Sequence, residues 1–446
     1  MAGKGRHRPR FADALQAAWI AVCLLAALQA GRGRLAHAAE GFQEALDWGG
    51  HLRLQGSVSD PEAGSRLSSF SGDRLHDAAF ELRSTHTLRK EAVWRLELHY
   101  EMIGSAGETR RANARFRDRY PGAANWLPAE GVSDRRRLMD LTSGITSRSD
   151  CRLYHRLDRL SLSAGGPSGS VSIGRQAVTW GNGFLFNPMD LFNPFSPTDV
   201  ERDYKIGDDM LLVQAPAGAA AELQFLCVPR RNPATGDLAR DHSSAAVKLH
   251  TFPGSLEMDA MAGVHYDDLV FGVGCSGYLG AAAWRVDGTC TVLDESGKQN
   301  SYGSICANLD YSWVAWGKNM YGWVEAYYTG LGTSDAETAW RDRAIMERLE
   351  RGERYTIGRA YFDASLRVEF HPLVNGRFTL IANIGDPSGV LQPRLVWDLR
   401  QNLQATAGAN LYIGGPGTEF GGIDLPGLPF SEAPADNLYL WIRFFY

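Results

Sequence analysis

Apolar and polar side chains alternate with a period of two over segment after segment of this chain, and that pattern restricts what it can fold into. In residues 93–102, Trp94, Leu96, Leu98, Tyr100 and Met102 share one face, while Arg95, Glu97, His99 and Glu101 share the other. The same division holds at 361–370, where Phe362, Ala364, Leu366, Val368 and Phe370 oppose Tyr361, Asp363, Ser365, Arg367 and Glu369. It recurs at 391–400 and at 437–446, where Leu438, Leu440, Ile442, Phe444 and Tyr446 fall on one side. Strict alternation over about ten residues describes a strand with one apolar and one polar face.

A water-soluble sandwich alternates too, so the connections decide between architectures. The pattern predicts about 18 strands, with 16 as the other possible parse because residues 266–303 divide in more than one way. Tight turns such as 89–91, 165–167, 216–218, 253–254 and 317–319 follow every second strand. Most of the other links are long: 104–150, 181–206, 230–242, 331–354 and 415–436. Short turns at one end and long loops at the other define an all-β, transmembrane antiparallel β-barrel of the outer-membrane kind, whose strands need about ten residues to cross a bilayer at a tilt. A soluble multi-sheet protein would leave too many apolar outer faces uncovered.

Composition narrows the choice further. A hydrophobic fraction of 44% and near-balanced charge, 46 Lys+Arg against 51 Asp+Glu, exclude both a bundle of membrane helices and a disordered chain. The acidic balance gives no electrostatic case for a nucleic-acid partner.

The N-terminus reads as an address. Lys4, Arg6, Arg8 and Arg10 precede an apolar stretch from Ala17 to Leu28, and Ala36-His37-Ala38 offers small residues for cleavage. Residues 1–38 are therefore expected to be a secretory signal peptide and 39–446 the barrel. Removing that segment takes away six basic residues and one acidic residue, leaving 40 against 50. Five cysteines remain, Cys151, Cys227, Cys275, Cys290 and Cys306, at spacings that carry no metal signature. Cys290 and Cys306 come close across one hairpin, but alternation sends them to opposite faces.

The stretch Gly174-Arg175-Gln176, then Trp180-Gly181 and the Asn-Pro-rich Asn187-Pro188…Asn193-Pro194, resembles an element of porin-like and alginate-export-like outer-membrane barrels. The resemblance covers residues 151–210 and implies barrel membership rather than a particular substrate. The closing Phe444-Phe445-Tyr446, in phase with a strand, resembles the signal read by the barrel-assembly machinery of Gram-negative bacteria. The implied location is the cell outer membrane, with lipid, lipopolysaccharide and small solutes as partners.

Pro188, Pro194 and Pro197 forbid a long helix in 181–206. Trp180, Phe184, Phe186, Phe192 and Phe195 are too many aromatics to leave in water. One reading folds this loop into the barrel as a constriction that includes Asn187 and Asn193; the other packs it against neighbouring external loops. The polar strand faces place Arg53, Glu81, Arg83, Arg95, Glu97, His99, Glu101, Asp363, Arg367, Glu369, Arg394, Asp398 and Arg443 along the lumen. For each, the alternative to lining a water path is an ion pair bracing the wall. Both signs occur in comparable number, without the one-sided basic ladder expected of a pore for anionic polymers.

Some positions stay ambiguous. Alternation from Val171 and Ile173 puts Arg175 on the lipid side, where it would reach lipopolysaccharide phosphate unless a bulge turns it inward. In 151–163, Arg156 and Asp158 share a face with Leu160 and Leu162. The link 104–150 carries Arg110, Arg111, Arg115, Arg117, Arg119 and Arg135–Arg137, read as a solvated loop or an anion-attracting mouth. Residues 335–350 read as a short external helix with Trp340, Ala344 and Leu349 toward the rim. Asp199, Glu201, Asp203, Asp208 and Asp209 gather without the ligand spacing of a calcium site.

The expected function is an outer-membrane channel for passive diffusion of small solutes; the alternative is an exopolysaccharide-export or structural, capsule-associated barrel. No Gly-x-Ser-x-Gly element appears and His86 and His99 have opposite parity, so no catalytic residues, cofactor or metal are expected.

Overall fold

The computed structural model describes residues 46–90, 93–126, 131–192, 194–199, 204–294 and 300–446. The expected signal segment, Asn193, Glu201 and Asp203 lie outside the described residues. Eighteen strands form the wall. The first six are β1 Leu46–Asp60, β2 Leu75–Lys90, β3 Trp94–Gly107, β4 Cys151–Gly166, β5 Gly169–Gln176 and β6 Asp208–Pro216. The next six are β7 Ala221–Arg231, β8 Leu238–Thr251, β9 Glu257–His265, β10 Asp268–Leu279, β11 Ala282–Val292 and β12 Ser301–Ala315. The last six are β13 Lys318–Thr329, β14 Ala360–His371, β15 Val374–Asn383, β16 Ser388–Arg400, β17 Leu403–Ile413 and β18 Asp436–Phe445.

Each strand pairs antiparallel with its sequence neighbour, and β18 pairs with β1 from His51↔Phe445 to Asp60↔Asp436, which closes the sheet and leaves no edge. The fold is the closed 18-stranded transmembrane-type barrel that the alternation implied. Sixteen strands are excluded, because β10, β11 and β12 each hold full ladders through 268–315.

The outward face is apolar all round. Leu54, Leu96, Ile173, Phe225, Phe271, Val273, Leu309, Val324, Leu380, Leu395 and Leu440 are exposed there, as a surface facing lipid must be. At the tight-turn end this belt is edged by Trp94, Tyr278, Trp316, Phe370 and Trp397, all exposed, an aromatic girdle at one interface. No helix among the described residues is long and apolar enough to cross a membrane.

A bulge resolves the ambiguity in β4. Tyr100 pairs with Leu157 and His99 with Arg159, so Asp158 is the extra residue. Parity switches there: Arg156 and Asp158 stay on the inner face, followed by Arg159, Ser161 and Ser163, while Leu160 and Leu162 turn outward. β5 and β6 are short, and the wall above them is completed by the link before β4. Its short strand Thr142–Ser147 pairs with β4, and its Arg137 bridges to Arg230 of β7.

That same link holds a correction. Instead of a solvated loop, 108–119 is the helix α2, following the one-turn helix α1 at Arg66–Phe70. Phe116 of α2 is buried against Phe70, Tyr120 and Phe430, and Arg66 donates to Glu432 (2.8 Å) and Asn113 (2.6 Å). The links 61–74, 108–126 and 414–435 thus share an aromatic core at the long-loop end. The expected external helix is present as α3, Arg343–Arg351, capped by Asp342 and ended by Gly352 at φ 73°. Trp340, Ala344 and Leu349 pack on buried Leu331, Ile345 and Ile357.

Candidate functional site: the lumen and its inner loop

The inner face of the barrel is where the polar half of the alternation converges, and the link 177–207 enters it. Trp180 is buried and its indole N–H donates to Gln224 of β7 at 2.9 Å. Around it pack Met189, Phe192, Met210, Leu226, Met261 and Val270, an apolar cluster on the inner wall. Asn182 then donates through its backbone and its amide to Asp287 of β11. The backbone N–H groups of Phe184, Leu185 and Phe186 all point at the Glu325 carboxylate of β13, at 2.6, 2.9 and 2.8 Å. Phe184 stacks on Trp323 at 4.9 Å, with the Arg285 guanidinium 5.1 Å from its ring. Buried Phe186 stacks between Tyr327 and Tyr361 at 4.6 and 4.7 Å.

The chain continues round the wall. Asn187 ties back to the Trp180 carbonyl (2.9 Å), Gln392 of β16 donates to the Thr198 carbonyl (3.0 Å), and Phe195 lies 5.6 Å from the Lys205 ammonium. Tyr204 sits 4.1 Å under the Arg83 guanidinium of β2 and stacks against His51 of β1. Arg159 of β4 holds the Lys205 carbonyl at 2.6 Å before β6 begins. Lys205 also pairs with Asp190. The loop therefore touches the inner faces of β7, β11, β13, β14, β16, β2, β1 and β4 in turn.

The sequence-selected charges fall into two groups on the wall. On β18 and β1–β4, Arg53 holds Glu81 (2.7 Å), which also meets His51 (3.1 Å). Arg83 pairs with Glu101 and with Asp158 (3.1 Å), and Arg156 holds Glu101 (2.6 Å). His99 lies 3.1 Å from Arg83, Arg95 pairs with Glu97, and Arg443 is buried directly across from Arg53. These charges form a braced network. On β14–β16 the arrangement differs. Arg367 lies directly opposite Arg377, and Arg377 opposite Arg394, so three guanidinium groups occupy one rung on adjacent strands. Arg367 and Arg377 are exposed, and Arg367 lies over the Tyr321 ring at 5.5 Å. Glu369 and Asp398 lie on the same face further toward the tight turns, where Asp398 accepts from Gln404 (2.8 Å). Asp363 is buried higher up, beside Glu325 in register. Gln392, the loop anchor, is the next inward residue above Arg394, so the arginine rung lies just below the loop.

Several residues of this inner face were missed by the sequence reading. Arg377 stands in the Gly-rich β15, where the flanking Gly376 and Phe378 give little alternation. Glu325 and Asp287 share their inward faces with aromatic or small residues, Tyr321, Trp323 and Tyr327 in β13, which hides the polarity. Parity alone would have found all three once the register was known.

Arg175 is neither lipid-facing in effect nor turned into the lumen. It is buried, held by Asp209 (2.8 Å) and Asp134 (2.9 Å), and donates to the Met139 carbonyl (2.6 Å). The link 131–147 covers it, which removes it from any lipopolysaccharide phosphate. Asp208 is likewise committed to Arg230 (3.0 Å), so Asp208 and Asp209 are both held by arginines. Among the described residues no cluster suited to a metal ion occurs. The five described cysteines are free, with Cys306 buried inward and Cys290 exposed outward, as their parity required. His86 and His99 do lie on opposite faces, since His99 is paired with Thr85.

No protein-family model and no curated protein sequence matches the chain. Solved structures do share its fold. Pseudomonas aeruginosa OccK5 (OpdH) superposes with a TM-score of 0.50 at 10% identity, over 90% of this chain and 98% of that one. Acinetobacter baumannii OccAB2 gives 0.49 at 8% identity over 90% and 98%. The Vibrio cholerae outer membrane protein OmpT gives 0.38 at 11% over 90% and 99%. At these identities the likeness is one of fold. The chain has the architecture of an outer-membrane β-barrel.

Proposed function

We propose that this chain is an outer-membrane channel through which small solutes diffuse, narrowed by the 177–207 loop and favouring anions. The arginine rung Arg367–Arg377–Arg394 carries this reading. Three guanidinium groups side by side on one rung attract anions and repel cations. Trp180, Phe184, Phe186, Asn187, Phe192 and Phe195 act by holding the constriction against the wall. The network of Arg53, Glu81, Arg83, Arg95, Glu97, His99, Glu101 and Arg443 braces the neighbouring stretch of wall, β18 and β1–β4, while Asp363, Glu369 and Asp398 set the acidic margins of the rung.

Residues 1–38 serve as the export signal. Tyr446 ends the assembly signal; its ring lies on the outward face over Gly50, and its hydroxyl donates to the Arg83 carbonyl at 3.0 Å. Export of an anionic polymer is the weaker reading, since a loop anchored from β7 to β16 obstructs a chain of sugar residues.

Purified protein in a planar bilayer under a KCl gradient tests the channel. Steady conductance with a reversal potential of anion-selective sign is expected, and Arg377→Glu is expected to shift that potential toward cation selectivity. No conductance would sink the channel reading, and an unchanged potential in Arg377→Glu would sink the role of the rung.

A further inference from the structure

Between the inner loop and the wall, beneath the segment that follows α3, lies a cavity of about 100 Å³. Phe186 and Pro188 of the loop give it an apolar side; Thr289, Thr291 and Thr356 bring hydroxyls to the other. His265, 5% exposed, lines it at the end of β9. Its Nδ1 lies 2.9 Å from the Ser244 hydroxyl, whose oxygen already accepts from Arg230 at 2.7 Å. Nδ1 is the one acceptor within reach of the Ser244 hydroxyl proton among the described residues, so Ser244 donates to it and the imidazole proton sits on Nε2. That N–H has no acceptor. Across from it the Glu353 Oε1, also without a hydrogen-bond donor, is 3.8 Å away, too far for a direct bond. Asn187 and Asp190 also line the cavity, each with a buried Oδ1 that takes no hydrogen bond, that of Asn187 lying against Gly181.

Buried polar groups are normally satisfied, so a donor and an acceptor left facing each other at this spacing call for something that fills the gap. The group that fits a gap between an N–H and a carboxylate oxygen is a hydroxyl, which accepts from the first and donates to the second. The surrounding charge argues against an ion. Arg348 is committed to Asp268, and Arg354 to the carbonyls of Leu331 (2.5 Å) and Gly358 (3.1 Å), leaving no guanidinium for an anion. Glu353 is offset by Arg348 and Arg351 at 3.7 and 3.5 Å, and Asp190, the other carboxylate of the lining, by Lys205, which removes the net charge that would hold a cation. We infer that this cavity is a binding site for a small neutral polyol, bridged between His265 Nε2 and Glu353 Oε1 and packed on Phe186.

As a stop on a permeation path the site rests on the channel reading, but the binding itself does not, and the two are separable. Saturation-transfer NMR on the full chain refolded in detergent would use meso-erythritol as probe, with n-butylammonium chloride and sodium propionate as charged controls. The same preparations would be checked for salt conductance. A saturable erythritol signal is expected, weakened at least five-fold in His265→Phe and in the near-isosteric Thr291→Val, whose folding is read from heat-modifiable gel mobility. Loss in both variants with native mobility supports the site. Absence of a saturable erythritol signal in the native chain, which means that water alone fills the gap, overturns it. So does preference for either charged control, or unchanged binding in folded Thr291→Val and His265→Phe. Failed binding with intact conductance sinks this inference alone; binding without conductance sinks the channel alone.

Discussion

Glu325 gathers three consecutive backbone N–H groups of the inner loop and the amide of Asn308 (3.3 Å) onto one carboxylate. Hydrogen bonds to a charged acceptor are stronger than neutral ones, and a buried donor left without its acceptor costs about 1–3 kcal/mol. Glu325→Gln replaces one oxygen with an amide that cannot accept, so at least one of these donors loses its partner. A stability loss of about 1–3 kcal/mol in denaturant titration and a noisier open channel are expected. A quiet channel of native stability would show that the stacked rings alone hold the loop. Asp190 acts differently. Burial pushes its carboxyl from 3.8 up to about 7, against the Lys205 ammonium beside it. A carboxyl whose folded value is raised contributes stability that is fully present below about 4 and is lost as pH rises through 7. Current flicker is therefore expected to grow between pH 5 and pH 8 and to become pH-independent in Asp190→Asn; flicker that grows on acidification instead would reverse the assignment. At this scale the sequence showed residue type but not company. Arg175 looked available to lipid because parity was visible and the carboxylates of Asp134 and Asp209 were not, since they converge on it only in the fold. Asp158 changed the parity of half a strand, and a single inserted residue leaves no mark on a pattern already read as mixed.

At the scale of elements, the loop 177–207 shows how local composition and tertiary anchoring divide the work. Its three prolines and its aromatics stated that it is neither helix nor solvated coil, and that much was legible. Its circuit of the wall was not, because the anchors Gln224, Asp287, Glu325 and Gln392 are scattered over 169 residues of sequence and become a set only when the barrel closes. Deleting 184–197 removes the stacks on Trp323, Tyr327 and Tyr361 together with the Glu325 anchors. Single-channel conductance is expected to rise, because the segment lies inside the barrel. Conductance equal to that of the intact chain would mean that the loop does not narrow the path. Helix α2 escaped the sequence reading for a related reason. Its run of arginines has little apolar periodicity, and the two residues that bury it, Ala112 and Phe116, are four apart within a polar face.

For the whole molecule, the repeated two-residue period carried most of the information, and physically it had to. Every strand meets the same two environments, lipid on one side and lumen on the other, so the same constraint is written eighteen times and errors at single positions average out. The site had no such redundancy; the rung Arg367–Arg377–Arg394 depends on the register of three strands, and each arginine appears once. This asymmetry can be tested at two adjacent residues of β16. Leu395 is exposed on the outward face, while its neighbour Val396 faces the lumen between Arg394 and Asp398. An arginine on the lipid side costs on the order of 2–4 kcal/mol near the bilayer midplane, whereas lumen positions accept charge. Leu395→Arg is therefore expected to lower folded yield and unfolding free energy in lipid vesicles, by less than the midplane cost because Leu395 lies two residues from the interfacial Trp397. Val396→Arg is expected to fold normally and to strengthen anion selectivity by extending the rung. Equal tolerance at both positions would mean that the outer face does not contact hydrocarbon, and the inverse result would require the sheet to be turned inside out. A lumen charge that leaves selectivity untouched would locate the ion path away from β14–β16, even in a barrel that folds as described.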